Sequence, residues 1–110
     1  MKVLNRKEFL ALPSGVLFSN FEPCYFQEIR VKLQTSGNDF IYQDINSAIK
    51  CDSSEEFNEK MFEATEKGTE LEMDFECAGR DGMFDADQLF AVWNKDDVKS
   101  LIKLLESISK

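Results

Sequence analysis

Apolar and polar residues alternate almost without error from Thr69 to Cys77. Leu71, Met73, Phe75 and Cys77 fall on one side of an extended chain, and Glu70, Glu72, Asp74 and Glu76 fall on the other. The pattern predicts a half-buried strand at the centre of the core, with four carboxylates in a row on its outer side.

The remaining elements are predicted around that strand. Met1–Leu4 reads as a short extended lead-in. Asn5 followed by Glu8 forms a capping-box pattern that opens a short helix, with Phe9, Leu10 and Leu12 inward and a stop near Pro13. After the Ser14-Gly15 turn, Val16–Phe21 reads as a strand, and Glu22-Pro23 breaks it. Cys24–Leu33 resumes as a longer strand, with Gln27 out of phase and therefore a candidate bulge. Thr35–Asn38 is a turn, and Asp39–Ile45 follows as the third strand of a hairpin. The period then changes: Ser53 and Ser54 cap a helix with Phe57, Met61, Phe62 and Thr65 at helical spacing, ending at Gly68. Gly79–Gly82 closes the Thr69–Cys77 strand, and Gln88–Trp93 is the fifth strand. Asn94 with Asp97 caps a last helix whose stripe is Val98, Leu101, Ile102, Leu105 and Ile108. The expectation is a single α+β domain over 1-110. Its sheet is mainly antiparallel and five-stranded, the element order is α-β-β-β-α-β-β-α, and the helices lie on one face.

Composition supports one ordinary core: 110 residues, 43% of them hydrophobic, with ten Phe. The three cysteines, Cys24, Cys51 and Cys77, show no CxxC spacing, and the N-terminus lacks a charged-then-apolar leader, which points to a reducing cytosol. No apolar run suits a membrane span. The net charge of −8 is concentrated: residues 35–90 carry fifteen acidic and four basic side chains. That balance argues against direct binding to nucleic acid and for a partner with a basic surface.

Histidine is absent, which removes the commonest general base and metal ligand together with every Ser-His or Cys-His arrangement. No phosphate loop or zinc spacing occurs, so neither cofactor nor metal is expected. Asp81, Asp85 and Asp87 lack the order of a calcium loop and are expected to form a solvated acidic loop. The cysteines are expected to be structural, and Arg80 to pair with nearby acids. The expected activity is therefore not enzymatic.

Two stretches carry a resemblance. Arg6–Gly15 followed by Leu17-Phe18 and Phe21–Cys24, and later Arg80–Asp85 followed by Gln88–Val92, resemble a group of small uncharacterised accessory proteins of tailed bacteriophages. The resemblance implies a phage accessory protein acting in the bacterial host cytoplasm and supplies no catalytic residues. Two functions follow as expectations. The first is an inhibitor that mimics the charge of nucleic acid and antagonises a host or defence protein through Glu70, Glu72, Asp74 and Glu76. The alternative is a protein that sequesters a nucleotide signal, with Arg30, Lys32 and Arg80 for phosphate and Tyr25, Tyr42 or Trp93 for stacking. An exposed strand edge, or the second apolar side of the third strand, also offers a homodimer contact.

Overall fold

The computed structural model describes residues Met1–Lys110. The elements are β1 (Lys2–Leu4), α1 (Arg6–Leu10), β2 (Val16–Glu22), β3 (Tyr25–Ser36), β4 (Asp39–Asp44), α2 (Ser54–Lys67), β5 (Ala78–Arg80), β6 (Leu89–Val92) and α3 (Lys95–Ile108). The strands form one six-stranded sheet in the order β1-β6-β2-β3-β4-β5, and every neighbouring pair is antiparallel.

Local chemistry accounts for most boundaries. Asn5 accepts from the Glu8 amide while the Glu8 carboxylate accepts from the Asn5 amide, so both orphan donors at the start of α1 are satisfied. The same reciprocal pair, Asn94 with Asp97, opens α3. Gly68, at φ 68°, closes α2 in the left-handed conformation that glycine adopts without a Cβ clash. Glu22 pairs with Tyr25, so Pro23-Cys24 is a two-residue hairpin turn with Cys24 at φ 68°. Between Ser19 and Phe21 the partner strand advances from Ile29 to Phe26, so an extra residue sits at Gln27–Glu28.

The five-stranded expectation is corrected to six strands in the order β-α-β-β-β-α-β-β-α. Lys2–Leu4 is a true strand, paired with Phe90–Val92. Thr69–Cys77 is not a strand: only Met73 forms an isolated bridge, to Ile49, and Phe75-Glu76 is a turn. Asp74 explains the difference. Its side chain accepts from the Glu76 amide and its carbonyl from the Cys77 amide, a local turn that replaces extended pairing. The edge of β4 is instead taken by Ala78–Arg80, with Gly79 and Arg80 expected to lie in a closing loop. The inward positions of the segment become Leu71, Asp74 and Cys77, all half-buried, while Met73 and Phe75 are exposed at 39% and 59%.

The core is a phenylalanine cluster built on α1. Phe9 stacks on Phe90 with ring centroids 4.0 Å apart and meets Phe18 at 4.7 Å and Phe40 at 5.0 Å. Lys32 is fully buried beside this cluster, and its ammonium donates to the carbonyls of Leu12 and Leu33 and to the Thr35 hydroxyl. Thr35 in turn donates to the Leu10 carbonyl, so β3 closes the C-terminal end of α1. Neither α2 nor α3 contributes a fully buried side chain. Only α1 therefore packs its side chains into the core, and α2 and α3 do not form the layer over the sheet that the periodicity predicts.

Candidate functional site

Helix α2 is capped by Ser53, whose hydroxyl accepts from the Glu56 amide. Glu56 turns back to accept from the Asp52 amide and pairs with Lys60, and these contacts hold its carboxyl below the ordinary glutamate value. Lys60 also donates to the Lys50 carbonyl, while Lys50 pairs with Glu72 at 3.4 Å. These links set α2 beside the segment that follows it.

The inward side of α2 carries Phe57, Met61 and Ala64, all half-buried. Phe62, expected to face inward, is 69% exposed. Glu55, Glu59 and Glu66, seven and three positions before and four after it, line one side of the ring on the outer face, with Glu63 further round the helix, and Asn58 and Thr65 flank its other side. An aromatic ring thus projects at the border of a carboxylate-covered helix face. Between Lys50 and Glu76 the chain holds ten carboxylates against three lysines. Carboxylates beside an exposed ring favour a partner that offers cations next to an apolar pocket.

The predicted carboxylate row does not exist as a strand face. Glu70, Glu72 and Glu76 are exposed, whereas Asp74 is half-buried and engaged by the Glu76 amide. Three of the four residues therefore remain on the surface, beside exposed Met73 and Phe75, but without the regular spacing of a strand. Sequence reasoning missed Phe62 because Met61 and Phe62 are adjacent and both apolar. The distinguishing feature was present in the glutamates at its helical neighbours.

The residues proposed for a nucleotide are dispersed. Lys32 is fully buried, and Arg30 pairs with Asp44 at 3.0 Å and Glu28 at 3.1 Å while its guanidinium lies 4.1 Å from the Tyr42 ring centroid. Ile41 pairs with Arg80 and Tyr42 with Gly79, so Arg80 leaves the sheet on the face opposite Tyr42. Tyr25 is exposed on the β2–β3 hairpin and Trp93 is half-buried before α3.

Asp39 organises the other polar cluster. It accepts from the Arg80 Nε, from the Gly82 amide at 3.0 Å and from the Phe40 amide at 2.9 Å. Burial opposes its ionisation, yet these donors together with the Arg80 charge hold its carboxyl below the ordinary aspartate value. Arg6 joins Asp81 at 3.2 Å and donates to the Asn38 carbonyl, fastening α1 to the β3–β4 turn. The Asp85 carboxylate accepts from the Asp87 amide, and no cluster of three metal-ligating side chains forms. Cys24 is exposed, Cys51 and Cys77 are half-buried, and all three thiols are free. No helix is long and apolar enough to cross a membrane. No protein-family model matches the chain, and comparison with curated proteins and with solved structures finds no match.

Proposed function

We propose that this chain is a non-enzymatic phage-type accessory protein that antagonises a host or defence protein by docking on its basic surface. The observation that supports this reading is the exposed Phe62 ring bordering the Glu55, Glu59, Glu63 and Glu66 face. The exposed Phe75 and Met73, among Glu70, Glu72 and Glu76, repeat the same mixture of apolar and acidic side chains. Phe62 supplies the anchor, and the carboxylates supply attraction and orientation. This shifts the centre of the acidic surface from a strand to α2.

Capture from bacterial lysate at low and high salt tests the reading. The wild-type chain retains a basic protein at low salt and loses it steeply as salt rises. Phe62→Ser and Glu59→Lys/Glu66→Lys each abolish capture. Retention that is unchanged in both variants excludes this surface.

Arg80 supports a second reading, a small anionic ligand such as a nucleotide signal. Its guanidinium lies beside a 360 Å³ cavity shared with Phe84, and Asp39 engages only Nε, leaving both terminal nitrogens without a partner. Thermal shift with cyclic and ADP-ribose-type nucleotides at millimolar concentration, compared with Arg80→Ala, tests it. The absence of any ligand-dependent shift removes it.

A further inference from the structure

The last helix presents an apolar stripe that the chain covers in part at Val98 and Leu101 and leaves open towards Leu105 and Ile108. Val98, Leu101, Leu105 and Ile108 recur at alternating three- and four-residue spacing, the seam pattern of a helix that packs on another helix. Ile102, Leu105 and Ile108 are all exposed, Ile108 at 73%. The chain as a whole is under-buried. A monomer of 12.7 kDa exposes about 6,200 Å² by the usual scaling, whereas this chain exposes 7894 Å². The excess is about twice the ~800 Å² that a standard interface takes from each partner. The radius of gyration is 15.4 Å, against about 13 Å for a compact chain of this length.

We propose that a second copy of this chain covers the stripe, with the two α3 helices antiparallel about a dyad between Ser100 and Leu101. Charge complementarity selects this register. Lys95 and Glu106 are eleven residues, about three turns, apart on one edge of the stripe. Neither belongs to an ion pair within the chain. An antiparallel dyad at that point sets Lys95 of each copy against Glu106 of the other. The same register carries Leu105 and Ile108 to the base of the opposite helix, level with Trp93. There a groove of about 640 Å³ is lined by Leu12, Val16, Leu17, Val92, Trp93 and Val98, and the C-terminal turn of the partner helix fills it. The contact is isologous, so it closes at two copies.

Sedimentation equilibrium under reducing conditions tests the proposal, because exposed Cys24 could otherwise cross-link chains. The wild-type chain sediments as a dimer at tens of micromolar. Leu105→Asp/Ile108→Asp alters only exposed positions, so the circular dichroism of the sheet is retained while the dimer dissociation constant rises by roughly 100-fold or more. Lys95→Glu and Glu106→Lys each weaken the dimer roughly tenfold, and the double exchange Lys95→Glu/Glu106→Lys restores it. A wild-type chain that stays monomeric at millimolar concentration, or a Leu105→Asp/Ile108→Asp variant that stays dimeric, overturns the interface. A double exchange no better than either single overturns the antiparallel register. None of these outcomes depends on binding through Phe62.

Discussion

A Cβ placed on Gly79 would lie 3.1 Å from both Cζ and Oη of Tyr42. The Tyr42 ring lies over the backbone of β5, and the Arg30 guanidinium stacks on it at 4.1 Å, so the ring has little freedom to withdraw. Gly79→Ala should therefore destabilise the chain by about 1–2 kcal/mol through overpacking alone. A urea titration checks this, and an unchanged midpoint would show that the ring moves aside.

Lys32 is the second test. Lys32→Met removes the ammonium that donates to the Leu12 carbonyl just beyond α1 and to the Leu33 carbonyl on β3, and should cost about 1–3 kcal/mol. Burial lowers the Lys32 pKa below its ordinary value of 10.5. The unfolded chain then holds more protons between the lowered value and 10.5, so the stability contribution of this side chain rises with pH across that window. Subtracting the Lys32→Met curve from the wild-type curve isolates the rise, and a flat difference would contradict the burial.

Asp39 behaves with the opposite sign. Its folded pKa is depressed, so its contribution is fully present above the unfolded value near 3.8 and is lost as pH falls through the folded value. Asp39→Asn keeps the shape but weakens the hold on Arg80 and Gly82. The melting temperature at neutral pH should drop by several degrees, and the acid-induced loss below pH 4 should become shallower. Parallel acid titrations of the two chains measure both effects.

Cys24 offers a stabilising change. It holds φ 68° in a two-residue turn, where a side chain costs about 1 kcal/mol and glycine costs little. Cys24→Gly should raise stability by up to about 0.5 kcal/mol, the relief at φ 68° slightly exceeding the entropy that glycine adds to the unfolded chain, since the Cys24 side chain is exposed. A matching rise in the urea midpoint confirms it, and a fall would mean the turn relaxes in solution.

What the sequence made legible is local. Asn5 with Glu8, Asn94 with Asp97, and the Ser53 cap each lie within three residues of the groups they satisfy, so pattern alone finds them. The Pro23 and Gly37 turns mark the β2–β3 and β3–β4 hairpins for the same reason. The Thr69–Cys77 alternation misled because periodicity reports which residues could share a face, not whether a neighbouring strand edge is free. Asp74 formed a turn, and the edge of β4 went to Ala78–Arg80. β1 was faint because its three residues become a strand only through partners some ninety positions away. Of the candidate binding surface, the acidic bias was visible in composition, but the outward direction of Phe62 required the packing of α2 to be known.

The position of β6 between β1 and β2 has a consequence for how the molecule is made. Lys2–Leu4 can find its only strand partner after Leu89–Val92 has left the ribosome, and Phe9 gains its stacked ring at the same moment. Nascent chains should hold the β2–β3–β4 meander early and remain open at its β2 edge until Leu89–Val92 has emerged, which makes the closing step slow and non-local. Truncation before residue 89 would leave that edge bare and prone to pairing with other chains.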